Sequence, residues 1–555
     1  MKPEVHISLG KPRFAPGSLS SLADREGNIA AWRFAFSTLG SQAPATVAGD
    51  FAVALREPDG TVFLAVDRFA IKTLCYRVVG EQLHFAERAD ALVDAAGELD
   101  PQAIYDYLYF HCIPSPRTIF KNVFRVPPGH YVLFKQGKLT VGHYWQPEFQ
   151  EKCHRPLAEL KNEFLQLVQG AVTTQLDDGP CGCFMSGGTD SSTIAGMVAK
   201  TTGAAETYSI GFDAEGYDEM EYARIAARHF KTNHHEYYIA PDDLVRSIPE
   251  VAAHYDQPFG NSSAVPAYYC ARMAKADGIA KMLAGDGGDE LFGGNTRYAM
   301  QRIFAAYDSL PDLLRKGLIE PALVDSGLFD TVPLIRKAAS YARKARVPMP
   351  DRMEDYNLIE RLGPTEVLTP SFLASVDIGG PLRQQREVYA DCKSRSLVNR
   401  MLAFDWRYTL AENDLPKVCG TADLAGIGLG FPLLDDRVLD FSLQLPPSYK
   451  LRGVKLRWFF KEALRGFLPD EIITKKKHGF GLPFGVWTAR HAGLSKLADD
   501  SLRHLADRGV VRADFIDKLL TDHLPAHPGY YGEMVWILMM LEQWLRAKLP
   551  DWRLA

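Results

Sequence analysis

Ser186-Gly187-Gly188-Thr189-Asp190-Ser191-Ser192 decides the fold class of this chain. It follows a short apolar run, Cys183–Met185, that reads as a buried strand, and it opens a helical stretch, Ser191–Lys200. Glycines let the backbone turn sharply and approach a ligand without a Cβ in the way. The helix beyond offers unpaired N–H groups and the positive end of its dipole, and the serine hydroxyls add donors. Such a loop suits a pyrophosphate. It is neither a Walker A loop, since no Gly-Lys-Ser/Thr follows, nor a dinucleotide G-x-G-x-x-G. Read without its context, the lesser alternative is a Ser/Gly turn that merely caps a helix.

Working outward, the chain alternates. Strands are expected at Thr207–Phe212, Glu236–Ile239 and Lys281–Ala284, with helices at Glu219–His229 and Ala264–Ala276. That rhythm predicts an α/β fold with a parallel, doubly wound sheet covered by helices on both faces. A second glycine-rich turn, Gly285-Asp286-Gly287-Gly288-Asp289-Glu290-Leu291-Phe292-Gly293-Gly294, leaves the last of these strands. Three acidic groups on one turn are costly unless a cation or donors balance them. Asp190 and Asp289 are therefore candidate Mg²⁺ ligands, because Mg²⁺ takes few carboxylates and several phosphate oxygens. A solvated acidic turn is the plainer alternative.

Upstream the texture differs. Short β-like runs at Ala52–Leu55, Thr61–Val66, Leu74–Val79 and His130–Phe134 are separated by Pro58-Asp59-Gly60, Gly80 and Pro127-Pro128-Gly129. Pro156 opens a helix with apolar positions Leu157, Leu160, Phe164, Val168 and Val172. A domain boundary is expected near residue 150, giving a β-rich unit over 1–150 and an α/β unit with a helical C-terminal part over 151–555. Beyond Gly294 the pattern is helical and loop-rich, and residues 300–410 carry no assignable chemistry.

The 555 residues exceed what one core supports, and the net charge of −5 points to neither a nucleic-acid nor a membrane partner. The eight cysteines are scattered and fit buried free thiols. The N-terminus has no signal-peptide series, and the apolar run Val535–Leu545 is short and broken by Glu542. A cytoplasmic enzyme is expected, with a homodimer left open.

With these motifs in hand, the sequence resembles the asparagine synthetase family over roughly residues 45 to 490. Four elements carry the likeness in order: Ser186–Ser192; Tyr208-Ser209-Ile210-Gly211-Phe212-Asp213; Gly285–Gly294; and Lys477-His478-Gly479-Phe480-Gly481-Leu482-Pro483. The resemblance implies an ATP-dependent, AMP-forming ligase. It adenylates a small-molecule or peptide carboxylate and passes the acyl group to an amine or ammonia. It implies ATP and Mg²⁺ as cofactors, with the metal on Asp190 and Asp289. Ser186, Gly187, Gly188, Ser191 and Ser192 would hold the pyrophosphate. Met185, Ile210, Gly211, Ala284 and Gly285 would line the adenine and ribose site. Asp286 is a candidate general base, Lys477 would stabilise charge on the phosphates, and Glu412 is a second candidate for proton removal.

Two departures qualify the likeness. The family's front half is an Ntn-type glutaminase with a cysteine after the initiator methionine. Here Lys2 stands at that position, the first cysteine is Cys75, and the glutamine-gripping segments are missing, the recognisable sequence starting near Gly49-Asp50-Phe51. A degenerate glutaminase-like domain that does not hydrolyse glutamine is expected. The second departure is in the acceptor region, where charged family positions are Gly420, Gly428 and Gly430, and where Asn261 replaces a more usual Asp. Losing these charges removes partners for aspartate and leaves a gap that admits a larger or less polar substrate. The β-lactam synthetases and lasso-peptide cyclases are relatives with disabled glutaminase domains, so intramolecular and intermolecular amide formation both stay open. So do ammonia-dependent asparagine synthesis, a non-catalytic scaffold, and an RNA- or nucleotide-modifying relative, which would show a basic face.

Overall fold

The computed structural model describes residues 6–94, 97–176, 179–308, 310–315, 341–354, 357–476 and 481–554. Its N-terminal unit is built on an antiparallel sheet of strands β1 (His6–Gly10), β2 (Phe51–Arg56), β3 (Val62–Val66), β4 (His130–Lys135) and β5 (Lys138–His143), paired in that order. Three of these match the expected β-like runs. β1 and β5 were not expected: β5 is polar and largely exposed at the sheet edge, so its sequence carries little alternation. The run expected at Leu74–Val79 forms Cys75–Val79, which belongs to a separate small sheet. Helix α1 (Pro101–Phe110) carries Asp100 as N-cap, accepting from Gln102, and ends at His111 in a left-handed conformation with φ 62°.

The C-terminal unit opens with α2 (Leu157–Thr174). Its predicted apolar face buries Leu160, Phe164, Val168 and Val172. Phe164 sits among the rings of Phe292, Phe441, Phe459 and Phe460, all within 6.0 Å.

The chain then runs β6 (Cys181–Phe184), α3 (Thr189–Thr202), β7 (Glu206–Phe212), α4 (Met220–Phe230), β8 (Asn233–Ile239), α5 (Pro241–His254), α6 (Ala264–Ala276) and β9 (Lys281–Leu283). Helix α7 (Leu415–Ala425) and strand β10 (Gly428–Gly430) come later. All five strands are parallel, in the spatial order β8-β7-β6-β9-β10. Cys183 pairs with Thr207 on one side and Leu283 on the other. Successive strands therefore step one way from β6 to β8, and the chain returns to the opposite flank of β6. That reversal opens a crevice at the carboxyl ends of β6 and β9, where ligands of such sheets bind. Both glycine-rich loops leave these two strands.

Helix α8 (Pro528–Lys548) is buried from Met534 to Leu545. The run Val535–Leu545 is thus a core helix, and Glu542 inside it is satisfied by Arg508, His504 and Arg546. Among the described residues no helix is long and apolar enough to cross a membrane.

Candidate functional site

The loop after β6 turns through Gly187 at φ 68°, where a side chain would press its Cβ 2.6 Å from that of Tyr222. Only glycine tolerates that conformation and that approach. Ser191 Oγ accepts the Ser186 N–H at 3.2 Å and contacts Ser186 Oγ at 3.1 Å, which closes the loop over the start of α3. The loop after β9 interlocks with it. A Cβ on Gly285 would lie 2.7 Å from the Ser191 backbone nitrogen and 2.8 Å from the Asp190 carbonyl carbon.

Together the loops form one cleft of about 310 Å³. It is lined by Met185, Ser186, Gly188, Asp190, Ser191, Ile210, Gly285, Asp286 and Asp289, and by Ser263 at the start of α6. The N-termini of α3 and α6 both face it, so two positive dipole ends meet where phosphate charge would sit.

Asp190 and Asp289 both meet the guanidinium of Arg457. Its Nη1 lies 2.5 Å from Asp190 Oδ2 and 2.8 Å from Asp289 Oδ1, and its other terminal nitrogen bonds Thr189. Arg457 is buried and left-handed at φ 51°, and its N–H donates to the Gly293 carbonyl. Burial opposes its charge, but the two aspartates outweigh that and raise its pKa. Nothing in the sequence around it marks Arg457, whose partner Asp190 is 267 positions away.

Asp286 faces the cleft, and burial raises its carboxyl pKa above the ordinary aspartate value, opposed by Lys417. Lys417 Nζ sits 3.7 Å from Asp286 and 3.1 Å from Asp414. Burial disfavours its charge, yet Asp414 and Asp286 hold its pKa above the usual lysine value. The i,i+3 spacing of Asp414 and Lys417 was the available signal for this pair.

Several expected positions lie elsewhere. Glu412 is not in the cleft lining: it is buried against Arg407 and accepts from Ser115 Oγ at 2.7 Å, so its lone pairs serve the junction with the N-terminal unit. Asp414, two residues on, reaches the cleft instead, because Glu412 and Asp414 leave opposite sides of the helical turn. Gly187, Gly211 and Ala284 stand behind the lining. Gly211 makes room for the Tyr238 ring, and Ala284 donates its N–H to Gly430. Ser192 is fully buried, and among the described residues its hydroxyl has no hydrogen-bond partner. Lys477 lies outside the described residues.

The gap expected at Gly420 is also filled: three atoms of the Tyr255 side chain would lie no more than 2.8 Å from a Cβ there. Tyr255 takes that space because its hydroxyl donates to the Pro416 and Lys417 carbonyls at 3.2 Å. Gly430 is similarly crowded by Leu283 and Lys281.

Oxygen-only donors held at one cation suit Mg²⁺, and two carboxylates leave the remaining positions to phosphate and water. Among the described residues no group of three or more His, Cys, Asp or Glu gathers as a metal site. Any metal on these two carboxylates would complete its shell with water or a ligand's oxygens.

Comparison with known proteins matches the Asparagine synthase family profile to residues 163–546 and the Glutamine amidotransferase domain profile to residues 23–145. The second match starts ahead of Gly49, where recognisable sequence was expected to begin. Among relatives, the asparagine synthetase [glutamine-hydrolyzing] 1 of Bacillus subtilis is 24% identical over 514 residues, covering 91% of this chain and 78% of the relative. The putative asparagine synthetase [glutamine-hydrolyzing] 2 of Methanocaldococcus jannaschii is 32% identical over 246 residues, covering 42% and 47% respectively. Amidase chry2 of Gibberella zeae is 24% identical over 494 residues, covering 79% and 70%.

Proposed function

This chain belongs to the asparagine synthetase family, whose members are ATP-dependent enzymes that form carbon–nitrogen bonds, and from that footing we propose that it adenylates a carboxylate other than aspartate and converts it to an amide without hydrolysing glutamine. The observation that carries the proposal is the interlock of two glycine-rich loops, which places Asp190, Asp289, Ser186, Ser191 and Asp286 around one crevice.

ATP would lie with its base against Met185 and Ile210 and its phosphates at the N-termini of α3 and α6. Asp190 and Asp289 would hold Mg²⁺, which when bound offsets phosphate charge. A substrate carboxylate attacks the α-phosphorus, giving an acyl-adenylate and pyrophosphate. An amine then attacks the acyl carbon, and AMP leaves. Asp286, with a carboxyl raised towards neutrality by burial, is placed to take a proton, and Lys417 steadies its charge. Arg457 is placed to meet the phosphates if the aspartates release it.

One observation supports the absence of glutamine hydrolysis. Cys75 and Cys112 of the N-terminal unit are buried, and burial pushes both thiols up to about 12, far from a reactive thiolate. The glycines at 420, 428 and 430, where the family carries charge, support a non-aspartate substrate.

An ATP–pyrophosphate exchange screen over candidate acids tests the proposal. Exchange should appear with at least one acid, be lost in Asp289→Asn with the fold intact, and glutamine should yield no glutamate. Exchange with aspartate alone would favour ammonia-dependent asparagine synthesis. Full exchange in Asp289→Asn would remove the metal assignment.

A further inference from the structure

Helix α7 does not grow from an ordinary turn. The nine residues before it, Trp406–Asp414, form a π-helix, and the Leu415 N–H that closes it donates to the Leu410 carbonyl. Such i→i+5 turns are rare and occur often at functional sites. This one carries a contact that an α-helix forbids. Arg407 and Glu412 are five positions apart and form an ion pair. At about 100° per residue, an α-helix would set them about 140° apart, on different faces. The wider turn brings them together.

The pair is buried, with side chains 15% and 5% exposed, and it is held from the other unit. Buried Ser115 donates its hydroxyl to Glu412 at 2.7 Å, and its carbonyl accepts from Arg407. The start of the turn is fixed separately. Trp406 Nε1 donates at 2.8 Å to the carbonyl of Glu290, the residue after Asp289. The far end reaches the cleft: Asp414, Lys417 and Val418 line it, while Cys419 and Ala422 face a different cavity.

Resting on the ligase reading above, we propose that Ser115, Arg407 and Glu412 are positioning residues: they hold Trp406–Asp414 in its π-helical register, and that register aims Asp414 and Lys417 at Asp286. A π turn holds one residue more than an α turn. Rewinding it, with Trp406 still anchored, would rotate everything beyond it by about 100°. Lys417 Nζ, 3.7 Å from Asp286, would then leave it. The buried pair and the Ser115 hydroxyl offset the cost of the wide turn. The N-terminal unit thus completes the amide-forming site through Ser115, without touching a substrate.

The consequence for Asp286 is electrostatic. Burial favours its neutral form, Lys417 opposes that, and Asp414 adds to it more weakly than Lys417 opposes it. If α7 turns away, both charges leave. The loss of Lys417 is the larger effect, so Asp286 holds its proton more tightly.

The test needs no knowledge of the acid. The full chain is labelled with ¹³Cγ-aspartate, and the Asp286 resonance is identified by its loss in Asp286→Asn. The double variant Arg407→Met/Glu412→Leu replaces the ion pair with apolar groups, a change that buried pairs tolerate. There Asp286 should titrate about one pH unit higher, a tenfold change in proton affinity. Ser115→Ala should move it the same way by less, and Ser115→Thr, which keeps a hydroxyl, should return it to the wild-type value. Leu64→Ala opens the core of the N-terminal unit, lowers stability and should leave Asp286 unmoved. An Asp286 titration unchanged in the double variant, or moved as far by Leu64→Ala, overturns the proposal; if the double variant does not fold, the Ser115 variants decide. ATP affinity should be unchanged in each variant, and a fall would assign the turn to the nucleotide site instead. The ligase reading is read out separately: wild-type protein that does not bind ATP would sink the ligase and leave the positioning of Asp286 standing on its titration.

Discussion

Arg457→Met removes the cation shared by Asp190 and Asp289 while keeping much of its apolar stem. The Arg457 side chain is 9% exposed and the two carboxylates 20% and 21%. Removing one partner of a fully buried pair costs about 3–5 kcal/mol. The residual exposure of the aspartates places this variant near ~3 kcal/mol. The loss should be partly repaired by the ion that the carboxylates are suited to bind. With Mg²⁺ at ten times its dissociation constant, linkage returns about 1.4 kcal/mol. Wild type should gain less, because Arg457 already compensates the pair. The assay is urea unfolding of both proteins in EDTA and in Mg²⁺, followed by tryptophan fluorescence, with Ca²⁺ and Na⁺ as controls. A destabilisation that Mg²⁺ does not relieve, or the same Mg²⁺ gain in both proteins, would refute the idea that guanidinium and metal compete for one position.

Three further outcomes are expected. Gly420→Arg, which restores a family charge, should destabilise by about 1–3 kcal/mol through overpacking against Tyr255, and Tyr255→Ala should relieve the clash in a double-mutant cycle. Ser192→Ala should leave stability unchanged or raise it by up to about 1 kcal/mol, since its hydroxyl has no partner, and should leave pyrophosphate release intact; a fall in kcat would show that the hydroxyl reaches phosphate. Asp67 is pushed up to about 6 by burial, with Asp50 adding to the shift, although backbone N–H groups of Phe51, Phe69, Ile71 and Lys72 favour its charge. Its folded pKa therefore lies above the unfolded value. The native state keeps the proton between about pH 4 and 6, so stability should fall by about 3 kcal/mol as pH rises through that window and level off above it. Asp67→Asn should flatten the slope in pH-dependent urea unfolding.

Much of the scaffold was legible because its signals are local. Strands β6, β7, β8 and β9 and helices α2, α3, α4 and α6 follow from runs of apolar residues and their spacing. Helix α5 was not expected; Pro241 begins it, where a missing N–H costs nothing, and Pro249 lies inside it. The site was legible only in part. Ser186, Asp190, Ser191, Asp286 and Asp289 lie on loops with their own glycine signature and reach the cleft. Glu412 failed because acidic character in a helical segment does not say which way the side chain leaves the turn. Lys417 has no local signal beyond its i,i+3 spacing to Asp414, and its approach to Asp286 is a tertiary contact.

The sequence by itself determined that two glycine-rich loops would leave two strands of one parallel sheet, since glycine's access to left-handed backbone and the spacing of apolar residues act within a few positions. Only the tertiary structure decided that those strands are neighbours at the point where the strand order reverses, that Arg457 bridges Asp190 and Asp289, and that Ser115 of the N-terminal unit meets Glu412. These depend on Coulomb forces and packing between segments hundreds of residues apart, which no local pattern encodes.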